Sequence, residues 1–131
     1  MTDRELIELA RSARDRAYAP YSGFRVGAAL LCKDGRVFLG CNVENAAYPA
    51  GICAERSALA AAVSAGAREF SMIIIAGSGR DACMPCGICR QSLYEFAPDL
   101  RVVCAGSGDA LEVFILCELL PGGFGPKSLG L

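Results

Sequence analysis

Apolar residues recur at helical spacing over residues 3–18: Leu6, Ile7, Leu9, Ala10, Ala13 and Ala17 fall on one side, with Arg and Glu on the other. The pattern predicts a helix capped by Thr2 or Asp3 and stopped by Pro20. The turn cluster Ala19-Pro20-Tyr21-Ser22-Gly23 leads through Phe24 into Arg25–Cys32, a strand of small and branched residues. Lys33-Asp34-Gly35 is a turn signal and Arg36–Asn42 reads as a second strand, so the pair forms a hairpin. Gly27, Ala28 and Ala29 leave little side-chain bulk there, which suits a closely packed helix. Residues 57–66, rich in Ala and Leu and ended by Gly66, predict a second helix whose first turn holds Cys53 to Arg56.

Ser71–Ala76 and Leu100–Ala105 are uninterrupted apolar runs of strand length, the pattern of a sheet covered on both faces. Cys86–Ala97 between them fits a third helix stopped by Pro98. Both apolar strands finish in Ala-Gly-Ser-Gly, yet neither copy is followed by the Gly-Lys-Ser/Thr of a phosphate loop, so both read as strand-ending turns. Glu112–Leu116 fits a further strand or a short helix, and Leu119–Gly130 is a Gly/Pro-rich tail carrying Phe124. This order predicts an α/β protein with three α/β/α layers and a mixed sheet of about five strands, a hairpin beside crossover-connected parallel strands. A length of 131 residues suits a single domain, 1–131.

Composition narrows the chemistry. The chain has no His, so no imidazole is present to ligate a metal or act as a base, and proton transfer falls to carboxylates, Tyr, Lys or a metal-bound water. Thirteen basic against fourteen acidic residues give a net charge of −1, which argues against a nucleic-acid partner. No apolar run has the length of a membrane span, and residues 1–20 mix Arg, Asp and Glu throughout, unlike a signal peptide. The expectation is a soluble, cytoplasmic protein. In that setting eight cysteines point to reduced thiols and a metal rather than a disulfide scaffold.

Cys86 and Cys89, two residues apart, have the spacing of a thiolate pair on one zinc ion, and Cys53 is the candidate third ligand. Glu55 lies two residues beyond Cys53 as a carboxylate able to carry protons. Cys32, Cys41, Cys104 and Cys117 stand alone in strand or apolar surroundings and read as small buried hydrophobes. Cys83-x2-Cys86-x2-Cys89 opens like an iron–sulfur run, but Leu93 and Tyr94 stand where that run continues with Cys-Pro, so Cys83 reads as a loop thiol. The competing arrangement is a structural zinc site closed by Cys83 as a fourth ligand. Cys53 and Cys86 each begin a predicted helix, where the dipole favours thiolate, and Arg56 is placed to donate to a ligand sulfur.

Cys53-Ala54-Glu55 followed by Pro85-Cys86-Gly87-Ile88-Cys89 resembles the zinc nucleobase-deaminase signature. The resemblance runs through Pro20-Tyr21-Ser22-Gly23-Phe24-Arg25-Val26-Gly27-Ala28-Ala29, Gly40 to Tyr48, Cys89-Arg90-Gln91, Glu118-Leu119-Leu120-Pro121 and Phe124-Gly125-Pro126. Together these are similar to the cytidine deaminases, in particular the small homotetrameric kind whose zinc has three Cys ligands. The resemblance implies a cytidine deaminase-like fold and hydrolysis of cytidine and 2′-deoxycytidine to uridine and 2′-deoxyuridine with release of ammonia, in pyrimidine salvage. It implies one zinc per subunit on Cys53, Cys86 and Cys89, whose activated water attacks C4 while Glu55 shuttles protons. It further implies ribose contacts from Asn42 and Glu44, a nucleoside pocket lined by Phe24, and a base contact from the Ala54 backbone. Tyr48 and Phe124 match positions supplied by neighbouring subunits, so the sites would lie at subunit interfaces of a homotetramer. The rivals are deamination of blasticidin S or of cytosine in nucleic acid, and a non-enzymatic zinc domain with four protein ligands.

Overall fold

The computed structural model describes residues Met1 to Leu131. Helix α1 (Asp3–Arg14) begins at Thr2, whose hydroxyl accepts from the Glu5 N–H while the Glu5 carboxylate accepts from the Thr2 N–H. It ends well before Pro20, shorter than its apolar spacing predicts. The Arg16 and Ala17 N–H groups turn to carbonyls three residues back, and Tyr18 leaves the helix to bond the Asn42 carbonyl at 3.0 Å. A tertiary bond that helical periodicity does not record sets this end.

Five strands form one sheet: β1 (Val26–Cys32), β2 (Val37–Cys41), β3 (Phe70–Gly77), β4 (Arg101–Ala105) and β5 (Leu111–Ile115), in the order β2-β1-β3-β4-β5. β1 runs antiparallel to both β2 and β3, β3 and β4 are parallel, and β5 returns antiparallel to β4. Helices α2 (Ala54–Ser64) and α3 (Gly87–Tyr94) lie on one face, and α1 lies on the other. The stretch around Glu112 is both of its predicted alternatives in succession, a strand to Ile115 and then helix α4 (Leu116–Leu119). The third helix stops at Tyr94, short of the predicted Ala97.

The two-residue alternation of a strand explains the apolar runs. Ile73, Ile75, Val102 and Cys104 pack with Ala28 and Leu30 under α2 and α3, while Ile74, Val103 and Ala105 pack with Ala29, Leu6 and Ala10 under α1. Both faces are covered, so polar residues drop out of both sets.

Two glycines let the helices approach. A Cβ at Gly27 would collide with the Ala10 carbonyl and the Arg14 backbone, and one at Gly40 with the backbone of Ala54 and Ala58. Gly40 therefore seats the N-terminal half of α2, where Glu55 lies. Gly40→Ala is expected to cost about 1–3 kcal/mol, the usual price of overpacking, read as a lower urea midpoint with unchanged slope.

Candidate active site

Cys53 and Cys86 are the N-cap residues of α2 and α3, each with extended backbone before the first helical residue. Both stand at the helix starts that the sequence predicts, one residue before the first helical residue, at the positive end of the dipole. Cys89, three residues after Cys86, returns to the same side of the helix start. The three sulfurs lie within 4.8 Å of one another, and Cys53 Sγ is 3.7 Å from Cys86 Sγ. Zinc–sulfur bonds of about 2.3 Å in a tetrahedron separate their sulfurs by about 3.8 Å, so the spacing fits one zinc ion. A disulfide needs about 2.05 Å, and all eight cysteines are free. Cys83 stands outside the cluster, packed against Gly77, so the four-cysteine arrangement lacks its fourth ligand.

The donor chemistry also calls for a cation. Cys53 is pulled down to about 5, first by a hydrogen bond from Cys89 and further by the Arg56 guanidinium, whose Nη2 stands 4.0 Å from Cys53 Sγ. Cys89 is pushed up by that same bond to Cys53 and by burial. One sulfur thus takes the charge and keeps the next protonated; three this close ionise together only around a positive ion. Glu55 is 4% exposed, and burial raises its carboxyl above the ordinary range, with the Cys53 charge adding to the rise. The Arg56 Nε is buried without a partner.

These groups lie on the wall of a cavity of about 700 Å³, also lined by Phe24, Asn42, Glu44, Tyr48 and Ala54. Cys89 sits behind that surface, fully buried. The Asn42 Nδ2 donates to the Phe24 carbonyl at 2.9 Å, and its Oδ1 accepts from the Val26 N–H at 2.8 Å. Glu44 accepts from the Tyr21 N–H at 2.9 Å, the Ser22 N–H at 3.1 Å and the Ser22 hydroxyl, the last holding its carboxyl below the ordinary range. Both side chains thus fix residues 21–26 as a pocket wall. Ser22 carries no signal for this in the sequence, because its partner is distant along the chain. Cys83, read as a loop thiol, also lines the cavity.

Tyr48 is 76% exposed at the mouth, edge-on to Tyr21 with ring centroids 6.1 Å apart. Phe124 is 57% exposed and does not line this cavity; its carbonyl accepts from Gln91 Nε2 at 2.8 Å. Among the four lone cysteines, Cys32 and Cys104 are buried as expected. Cys41 is half-buried, and Cys117 is exposed on α4, facing away from the core that Leu116 enters.

A zinc that only staples loops has no use for a buried carboxylate beside an incomplete thiolate set, whereas a hydrolytic zinc needs both. Fold and site together thus define a zinc hydrolase on a three-layer α/β/α frame. Comparison with known proteins narrows the class. A family model described as "Cytidine and deoxycytidylate deaminase zinc-binding region" matches residues 1–105. The chain is 47% identical over 130 residues to the cytidine deaminase of Halalkalibacterium halodurans, covering 97% of this chain and 98% of the relative. It is 41% identical over 130 residues to that of Sporosarcina psychrophila, covering 98% and 96%. The crystal structure of cytidine deaminase from Burkholderia pseudomallei superposes with a TM-score of 0.92 at 49% identity, covering 95% of this chain and all of that one. The chain belongs to the cytidine and deoxycytidylate deaminase family. No helix is long and apolar enough to cross a membrane.

Proposed function

We propose that residues 1–131 act as one domain that hydrolyses cytidine and 2′-deoxycytidine to uridine and 2′-deoxyuridine, releasing ammonia, in cytoplasmic pyrimidine salvage. The observation that carries this reading is Glu55, buried at 4% exposure beside three converging thiols in a cavity of about 700 Å³. That volume lies within the range of small-molecule sites.

In this reading Cys53, Cys86 and Cys89 hold one zinc per subunit, and Arg56 supports the Cys53 sulfur. Zinc bound there would acidify water from a pKa of ~15.7 toward ~7, supplying a nucleophile for C4 of the base at neutral pH. The Glu55 carboxylate would accept the water's first proton and deliver it to N3. It would then take the proton of the hydroxyl added at C4 and hand it to the amino nitrogen, which leaves as ammonia while the C4 carbonyl forms. Burial lifts its carboxyl above the ordinary range, which suits a group that must give the proton back.

Asn42 and Glu44 bond the ribose hydroxyls. Each holds the 21–26 wall and still has acceptor or donor capacity to spare, which supports the assignment. Phe24 packs on the nucleoside, and the Ala54 backbone at the start of α2 meets the base. Tyr48 and Phe124 serve sites of neighbouring subunits in a homotetramer; the exposure of two large aromatic side chains supports this, since an assembly would cover them.

Turnover measured on cytidine, blasticidin S and single-stranded DNA tests the substrate. Cytidine is expected to be deaminated far faster than either competitor. Weak cytidine turnover beside good turnover of another substrate would replace this reading.

A further inference from the structure

Three consecutive residues of α3 divide their contacts between the metal position and the C-terminal tail. Cys89 belongs to the thiol cluster. Arg90 reaches two ways: its Nε donates to the Pro85 carbonyl at 2.8 Å and its Nη1 to the Leu119 carbonyl at 2.9 Å, both partly buried. Gln91 holds the Phe124 carbonyl at 2.8 Å. One turn further on, the Tyr94 ring packs against Gly123 and Gly125, so closely that a Cβ at Gly123 would come within 2.7 Å of it.

The Pro85 carbonyl shares a rigid peptide plane with the Cys86 nitrogen, so holding that oxygen orients the chain entering Cys86. Cys86 is exposed, and no side chain caps α3. Packing at Cys86 itself therefore does little to hold its sulfur, while Pro85 is buried and anchored by Arg90. At the other end of the guanidinium, Leu119 closes α4 and opens the tail. A planar fork can serve two carbonyls on different elements at once, which a single ammonium does poorly.

We propose that Arg90 is a positioning residue that ties the metal-binding loop to the C-terminal tail, so that the placement of Cys86 and the path of residues 119–125 are set together. This rests on the reading that Cys53, Cys86 and Cys89 hold zinc. Without Arg90, two partly buried carbonyls lose their partner, the Cys86 sulfur is less restrained, and the tail loses its link to the metal. Zinc release then quickens, and zinc no longer protects the tail.

The test measures zinc release from loaded protein into excess chromogenic chelator, together with amide hydrogen exchange over residues 119–128 with and without zinc. Arg90→Ala is expected to release zinc about tenfold faster than wild type, at the low end for a group supporting metal ligands. Arg90→Lys falls between the two. Stripping zinc from wild type speeds exchange in the tail; in Arg90→Ala the tail exchanges fast with or without zinc. Gln91→Ala, which touches only the tail, speeds tail exchange but leaves zinc release at the wild-type rate. Gly27→Ala, strained in the opposite layer, controls for general destabilisation: its release rate and the thiolate charge-transfer band of its cobalt-substituted form stay as in wild type, whereas that band shifts in Arg90→Ala. Wild-type release from Arg90→Ala, a wild-type tail indifferent to zinc, or equally fast release from Gly27→Ala would each overturn the tie alone. A wild-type protein that takes up no zinc would overturn the ligand assignment and the tie with it.

Discussion

Glu55→Gln is expected to lower cytidine turnover by roughly 10³- to 10⁴-fold, the upper part of the range for a general acid–base group, because in the proposed reaction one carboxylate handles protons at more than one step. Glutamine has nearly the same shape, so the fold and the zinc content should be those of wild type. The KM should change little, because the loss falls on the chemical step. Stability has a definite sign in the metal-free protein. Burial raises the Glu55 carboxyl above its ordinary value of 4.5, so the folded state favours the protonated form. The associated stability is present below pH 4.5 and is lost as pH rises through the raised value. Near neutral pH the metal-free Gln variant should thus melt no lower than metal-free wild type. Steady-state assays of uridine formation, with zinc measured on the same samples, check both halves. Near wild-type turnover in a zinc-loaded Glu55→Gln protein would remove the proton-shuttle mechanism.

Cys89→Ala should abolish both zinc binding and turnover. Cys89 is fully buried and joins Cys53 and Cys86, so its loss leaves two sulfurs, one of them exposed, for an ion that needs three protein ligands here. A ligand bound only by the folded state stabilises it by about 2.7 kcal/mol at a hundred times its Kd. Adding chelator should therefore lower the melting temperature of wild type measurably and leave Cys89→Ala unchanged. Cys117→Ala, at an exposed thiol outside the cluster, should behave as wild type in every assay. A Cys89→Ala protein with full zinc content would show that the ion is held elsewhere.

The central strands were legible because both faces of the sheet are covered, so Ile73 to Ile75 and Val102 to Cys104 show no polar break. The clustering of Cys53, Cys86 and Cys89 was legible because spacing along a helix start is local chemistry, and the buried Glu55 lies beside Cys53 as its position in the chain suggests. Helix ends were less so: α1 stops where Tyr18 bonds Asn42, a partner on another element. The same limit hid Ser22, which meets Glu44 only through folding, and the two-way reach of Arg90. Cys117 was misplaced because apolar neighbours, one of which, Leu116, does enter the core, suggested burial for a side chain that points outward.

In the proposed site the zinc has three protein ligands and one position left for water beside Glu55. X-ray absorption of the zinc-loaded protein tests it most directly. The expected spectrum fits three sulfurs at about 2.3 Å and one oxygen at about 2.0–2.2 Å. Four sulfurs, with Cys83 drawn in as the last, would make the site a structural staple and rule out a zinc-bound water beside Glu55.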